Sequence, residues 1–190
     1  MNINNDIYHE KIRMIDVQNE ISSLIRSTKD DVVVILRIHL MCESMIEAWV
    51  CGAIGKIDFF TKPMELKLSF SDKLRVAYNL SLPKPAYEFF RKINSVRNQF
   101  SHKIEIRQIA SGLAETLKEI TSGLPFSNNY RLSLDTGREI YSLSNPQTPE
   151  RIKLCLLFLM FTLQLSMELQ PKSDDDDKSE RGTVTIEMKL

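Results

Sequence analysis

The stretch between residues 30 and 55 constrains the fold most strongly. It reads DDVVVILRIHLMCESMIEAWVCGAIG, and it is apolar nearly all round when it is placed on a helix. Asp30 suits the N-cap position and Gly55 the C′ position of that helix. A helix that is apolar on most sides must be covered by other elements, so the stretch predicts the central helix of a bundle. The chain has only six glycines and seven prolines, which argues against a turn-rich all-β fold.

Apolar spacing, capping residues and prolines predict the remaining elements. Further helices are expected over 6–27, over 86–107 with a bend near His102, and over 109–122. Another helix is expected to begin with Ser71 or Asp72 as its cap and to end before the break at Pro83. The last helix is expected to begin with Thr148 as its cap and to end near Gln170. Two alternating runs flank DTG within residues 130–143, which predicts a β-hairpin. The expected fold class is therefore all-α, a helical bundle with a small β-hairpin.

The last twenty residues differ in composition from the rest. We expect a single helical domain over 1–170 and an acidic, flexible tail over 171–190. The tail contains DDDDK, a string also used as a protease site in expression vectors, which we treat as native because its flanks do not look like a vector. The final TVTIEMKL either pairs with the hairpin or stays loose.

Charge, cysteines and hydropathy narrow the function classes. The chain has 25 Lys and Arg against 25 Asp and Glu, but nine against three over 67–107. This segment is either a surface that attracts RNA or an ordinary solvated helix face. Three cysteines among apolar neighbours (Cys42, Cys51 and Cys155) predict reduced, buried thiols in a cytoplasmic protein. No metal site, cofactor or signal peptide is expected. The most apolar run, 154–167, is shorter than the ~20 residues that cross a bilayer, so no membrane span is expected either, and the run predicts a helix that is either buried or faces a dimer partner.

The segment VRNQFSHK, residues 96–103, carries the side chains best suited to chemistry. On a helix, the apolar stripe that must face the core consists of Phe89, Ile93, Val96, Phe100 and Ile104. Asn94, Asn98 and His102 align away from that stripe, and Arg97 lies at its edge. An arginine and a histidine together suit phosphate chemistry, since one binds phosphate oxygens and the other transfers protons near neutral pH. The alternative is the polar face of an ordinary helix.

Three segments together resemble a family of known fold. Arg97-Asn98-x-x-x-His102 resembles the R-N-x₃-H signature of the HEPN superfamily, a set of small all-α domains. The segments IHLMCESMIEAWV (38–50), LSFSDKLRVAYNLSL (68–82) and FFRKINSVRNQFSHKIE (89–105) resemble, in order, the core helices of one branch. The same core resembles the mannitol-operon-repressor family. One toxin branch has a tyrosine two residues after the histidine, where this chain has Ile104, so regulation through that tyrosine is not implied.

The resemblance implies a homodimer in which the motifs of two subunits meet in one cleft. Active members are metal-independent ribonucleases of toxin–antitoxin and phage-defence systems. By this resemblance His102 is the acid/base, Arg97 stabilises charge on the phosphate, and Asn98 orients the histidine or the RNA. The supporting residues are expected to be His39, Glu43 and Asn94, and the RNA-binding residues Lys73, Arg75, Arg91, Lys92 and Lys103.

Two alternatives stay open beside that reading. His39 and Glu43 either face the same cleft or form a buried, hydrogen-bonded contact. Many superfamily members are not enzymes, so the protein is either a nuclease or a mannitol-repressor-like regulatory, immunity or antitoxin-partner protein that acts through protein contacts.

Overall fold

A computed structural model describes residues 3–13, 17–103, 105–124, 130–135, 140–169 and 184–189. The chain divides into two compact units, residues 1–108 and 109–190, and each is described by itself. The described residues are mostly helical, which confirms the predicted fold class at that level. Of the predicted tail over 171–190, residues 171–183, which include DDDDK, lie outside the described residues.

Five helices make up the first unit as described: α1 (Asn5–Arg13), α2 (Val17–Ser27), α3 (Asp31–Ile54), α4 (Phe70–Asn79) and α5 (Lys84–His102). The helix expected over 6–27 corresponds to α1 and α2, and residues 14–16 between them are outside the described part. The α3 prediction is confirmed with its caps. The carboxylate of Asp30 accepts a hydrogen bond from the Val32 N–H, and Gly55 adopts the left-handed conformation at φ 77°.

Two predicted helix ends need correction. The N-cap of α4 is Ser69, not Ser71 or Asp72, because the Ser69 hydroxyl oxygen accepts from the Asp72 N–H. Helix α5 ends at His102 and does not reach Arg107, since Lys103 is extended at φ −126°. The chain turns directly after the helix, where the Ile106 N–H donates to the Lys103 carbonyl at 3.0 Å.

Helix α3 is the centre of this unit, as its all-round hydrophobicity predicts. It packs against α1, α4 and α5, and α4 also packs against α5. Contacts between α3 and α4 follow ascending residue numbers in both helices, from His39 against Phe70 to Trp49 against Leu80, so the two run parallel. Contacts between α4 and α5 follow opposite order, so α5 runs antiparallel to both. The motif-bearing end of α5 therefore extends toward the beginning of α3.

The second unit contains α6 (Leu113–Thr121), β1 (Tyr130–Asp135), β2 (Ile140–Ser142), α7 (Glu150–Glu168) and β3 (Val184–Lys189). The predicted hairpin is present, with β1 and β2 antiparallel. Strand β3 pairs in parallel with β1 from Tyr130 opposite Val184 to Asp135 opposite Lys189, so the chain end follows the paired alternative. The strand order is β2-β1-β3.

The helices of the second unit begin later than predicted. Helix α6 begins at Leu113 rather than near Ile109, after Gly112 in the left-handed conformation at φ 84°. Pro149, not Thr148, is the N-cap of α7, because the Thr148 hydroxyl oxygen accepts from the Ser142 N–H instead. Helix α7 ends at Glu168, and its apolar run is buried, as one of the two predicted alternatives had it. In the described part of the chain, no helix has the length and hydrophobicity to cross a membrane.

Candidate functional site

The last two turns of α5 carry the Arg97-Asn98-x-x-x-His102 motif. His102 is the final helical residue and is exposed. Arg97 is half-buried, and its Nη1 donates to Asn98 Oδ1 at 3.2 Å. Helical geometry separates Arg97 and His102 by about 140° around the axis and about 7.5 Å along it. Within one chain, the two side chains therefore leave the helix on different faces.

Arg97 lies on the core-facing side of α5, between the directions of Phe90 and Ile93. Its Nε is buried, and no hydrogen-bond partner for that atom is found among the described residues. A buried polar group without a partner is costly, because the hydrogen bond it made to water is not replaced. The guanidinium is thus held partly inside the fold with unused hydrogen-bonding capacity.

His39 on α3 is 7% exposed, and the positive charge of Arg97 acts on it. Its ring stacks on Phe70, with centroids 4.4 Å apart and planes at 25°. Its Nε2 lies 3.0 Å from Asn94 Oδ1, and since an amide oxygen only accepts, Nε2 carries the proton in this contact. Asn94 Nδ2 in turn lies 3.5 Å from Ser71 Oγ. This histidine cluster of His39, Phe70, Ser71 and Asn94 joins three helices.

The surroundings of His39 favour its neutral form. Burial lowers the pKa of His39 from its ordinary value of 6.5, because the imidazolium loses hydration there. The Asn94 hydrogen bond acts in the opposite direction, and the positive charge of Arg97 lowers the pKa further. A neutral imidazole beside a guanidinium avoids placing two positive charges together, which leaves Arg97 as the cation of this region.

Glu43 belongs to a second, separate contact. Lys73 Nζ donates to Glu43 Oε1 at 2.7 Å and to Glu47 Oε1 at 2.6 Å, and the Lys73 side chain is only 12% exposed. The same Nζ lies 5.7 Å from the centroid of the Phe60 ring. Burial alone would lower the pKa of Lys73, but the two carboxylates outweigh it and the pKa is raised. Lys73 therefore ties α4 to α3, and its charge is already matched by two glutamates.

The other predicted RNA-binding residues differ in availability. Arg75 is 73% exposed and lies 3.5 Å from Asp72, and Arg91 is 65% exposed and lies 2.6 Å from Glu88. Such exposed ion pairs contribute little and exchange readily with other anions. Lys92 is half-buried, and Lys103 is exposed just after the helix end.

The three cysteines are free and buried, which confirms the predicted burial. Burial raises the pKa of all three thiols, that of Cys155 to about 12, so they stay protonated near neutral pH. Among the residues that the structure describes, no group of three or more His, Cys, Asp or Glu side chains is arranged to hold a metal ion.

Sequence reasoning found most of these residues but not their pairing. His39, Glu43 and Glu47 share one stripe of α3, yet His39 pairs with Asn94 while both glutamates pair with Lys73. Ser71, the hydroxyl partner of Asn94, was missed as a contact. It carries no local signal, because only the packing of α4 on α5 brings it there.

Comparison with known proteins identified no relative of this chain. No protein-family model, no curated protein and no solved structure matches the chain. The likeness to the HEPN superfamily therefore rests on the three sequence segments and their order alone.

Proposed function

We propose that this protein is a metal-independent, HEPN-like endoribonuclease of a toxin–antitoxin or phage-defence system. The observation that carries the proposal is the half-buried Arg97 guanidinium, whose Nε lacks a partner in the described part of the chain, five residues before an exposed histidine. An arginine held with unused donors suits an anion that arrives from outside, such as a phosphate. The roles of the two side chains in the proposed reaction are those that the resemblance to the HEPN superfamily implies.

In the proposed reaction the RNA itself supplies the nucleophile. His102 takes the proton from a 2′-hydroxyl, whose oxygen then bonds to the adjacent phosphorus. The bond from phosphorus to the 5′-oxygen breaks, and that oxygen takes the proton that His102 accepted, which returns the histidine to its neutral form. Arg97 stabilises the negative charge that develops on the phosphate oxygens, and Asn98, which accepts from Arg97, orients the guanidinium. The products are a 2′,3′-cyclic phosphate and a 5′-hydroxyl.

The proposed active unit is a homodimer. Because Arg97 and His102 leave α5 about 140° apart, one copy of the helix does not aim both at one phosphate. Two copies meeting at this end of α5 can place the arginine of one beside the histidine of the other. Mixing inactive Arg97→Met protein with inactive His102→Ala protein should then restore part of the activity, because a mixed dimer contains one intact site. Mixtures as inactive as their components would contradict a shared site.

Cleavage of total RNA and transfer RNA by the purified protein, in the presence of a chelator, tests the proposal. We expect fragments from the wild type and none from His102→Ala. The exposed Gln99→Ala on the same helix is the matched control and should cleave as the wild type does. Cleavage by His102→Ala equal to that of the wild type would overturn the proposal.

A second function is favoured by the same geometry. The separation of Arg97 and His102 on α5 also fits a non-catalytic, mannitol-repressor-like regulatory or immunity protein, in which the motif is a structural remnant and the surface contacts another protein, such as a cognate antitoxin. A folded, dimeric wild type that leaves every RNA intact would favour this second function.

A further inference from the structure

Two tyrosines form an exposed aromatic pair at the opposite end of α5 from His102. The rings of Tyr78 on α4 and Tyr87 on α5 lie with centroids 4.6 Å apart and planes at 41°. Tyr78 is 44% exposed, and Tyr87 is half-buried beside it. Tyrosine buries apolar area readily when its hydroxyl can reach water, so a ring left this open is available to a further planar partner.

The turn that carries this pair is well fixed. At the end of α4, the Leu82 N–H donates to the Ala77 carbonyl and the Ser81 N–H to the Tyr78 carbonyl, with Ser81 in the left-handed conformation at φ 67°. These two bonds form a Schellman motif. The indole N–H of Trp49 on α3 donates to the Leu80 carbonyl at 3.1 Å. The turn between α4 and α5 is therefore well ordered, and it fixes the two helices that carry the aromatic pair.

A polar face of α5 leads from the pair to the motif. Tyr87, Arg91, Asn98 and His102 lie within about 60° of one another around the helix, beside Asn94, whose side chain is engaged by His39 and Ser71. The face is about 22 Å long from Tyr87 to His102. An extended strand of several nucleotides spans such a distance, whereas a single nucleotide does not.

The positive net charge of α4, α5 and the turn between them suits a polyanionic ligand. Residues 70–103 contain seven Lys and Arg against two Asp and Glu, and six of the seven remain when Lys73, which Glu43 and Glu47 neutralise, is left out. Arg75 precedes Tyr78 by three residues and Arg91 follows Tyr87 by four, so each tyrosine has an exposed arginine on its own helix face. Aromatic rings between basic side chains are the arrangement that binds single-stranded nucleic acid, with bases stacked on the rings and phosphates beside the cations.

We propose that Tyr78 and Tyr87 form a base-stacking subsite for single-stranded RNA, remote from the Arg97–His102 motif. The subsite rests on the proposed function, since it binds the same strand whose phosphate is cleaved at the other end of α5. A base stacks on the open face of Tyr78, while Arg75 and Arg91 contact the flanking phosphates. The subsite thus sets where along a strand the scissile phosphate falls.

Binding of a short 2′-O-methyl oligouridine tests the subsite without any catalysis, because this probe lacks the 2′-hydroxyl nucleophile. Fluorescence anisotropy of the labelled probe should show roughly tenfold weaker binding for Tyr78→Ala. Tyr78→Phe, which keeps the ring, should bind within about twofold of the wild type. Met64→Ala removes an exposed apolar side chain from the loop before α4 and serves as the control, with unchanged binding expected.

A second readout needs no substitution. In the wild-type complex, 2-aminopurine placed at successive positions of the probe should be quenched at the position that stacks on Tyr78. Equal binding by Tyr78→Ala and wild type, or no quenched position, overturns the subsite. If RNA is still cleaved in that case, the proposed function stands without it. Tyr78-dependent binding with no cleavage of any RNA keeps the subsite and overturns the nuclease. A wild type that does not bind the probe overturns the subsite and leaves the aromatic pair as a contact for a protein.

Discussion

Replacing Arg97 by methionine should stabilise the fold while it abolishes RNA cleavage. The buried Nε of Arg97 has no partner in the described structure, and an unsatisfied buried donor costs about 1–3 kcal/mol. Methionine fills a similar volume without a polar atom, so this cost is removed. The substitution also loses the hydrogen bond to Asn98, which contributes roughly 0.5–1.5 kcal/mol. The expected net gain in the free energy of unfolding is about 1 kcal/mol.

Urea unfolding followed by tryptophan fluorescence measures this change. Trp49 is the single tryptophan and is buried in α3, so its emission reports on the first unit, which contains Arg97. The control is Arg91→Met on the same helix, an exposed arginine whose loss should change stability by less than about 0.5 kcal/mol. An Arg97→Met protein that is destabilised by more than about 1 kcal/mol would refute the idea that the guanidinium is held at a cost to stability. One that is stabilised but still cleaves RNA would refute its catalytic role.

Three further expectations concern the packing and charges around the site. Lys73→Met should destabilise the first unit by about 2–3 kcal/mol in urea unfolding, because it leaves two partly buried carboxylates without their cation. Replacing both glutamates by glutamine in the same protein should recover most of the lost stability. Recovery of none of it would show that the lysine acts through packing alone. The pKa of His39 is lowered in the folded chain, so the unfolded chain binds the proton first, and stability should fall as the pH drops through the ordinary value of 6.5. In His39→Gln that part of the pH dependence should be missing, and an unchanged pH profile would contradict the burial of a neutral histidine. Phe89→Ala should cost about 3–5 kcal/mol, whereas Phe100→Ala should cost clearly less, because Phe89 is fully buried and Phe100 only half-buried. Equal losses in the two variants would contradict the placement of α5.

The central helix could be predicted from sequence because its signals are local and agree with one another. The apolar composition of α3, the Asp30 cap and the Gly55 stop all lie within the segment itself. The end of α5 could not be predicted in the same way. Phe100 and Ile104 continue the helical spacing, but the chain turns after Lys103, where the Ile106 N–H donates to the Lys103 carbonyl, and no local sequence signal marks that turn.

In the candidate site, too, local sequence predicts some features, whereas others depend on the packing of the helices. The stripe of Asn94, Asn98 and His102 follows from helical geometry, and so does the buried side formed by Phe89, Ile93 and Val96. The partners of these side chains depend on how the helices pack. The sequence places Arg97 at the edge of the core stripe, but it does not show that the Nε of Arg97 is buried without a partner among the described residues. The RNA-binding role of Lys73 stays a prediction. Its ammonium group is already bound by two glutamates of α3, and that contact depends on how α4 packs on α3.

The most direct test of the account is the chemistry of cleavage at a single site in a synthetic RNA, in the presence of a chelator. The wild type should leave a 2′,3′-cyclic phosphate and a 5′-hydroxyl, and His102→Ala should leave the RNA intact. A 2′-deoxy nucleotide on the 5′ side of the scissile bond should prevent cleavage, because the attacking hydroxyl is then missing. Cleavage of that modified RNA, or fragments that end in a 3′-hydroxyl, would contradict the proposed roles of Arg97 and His102.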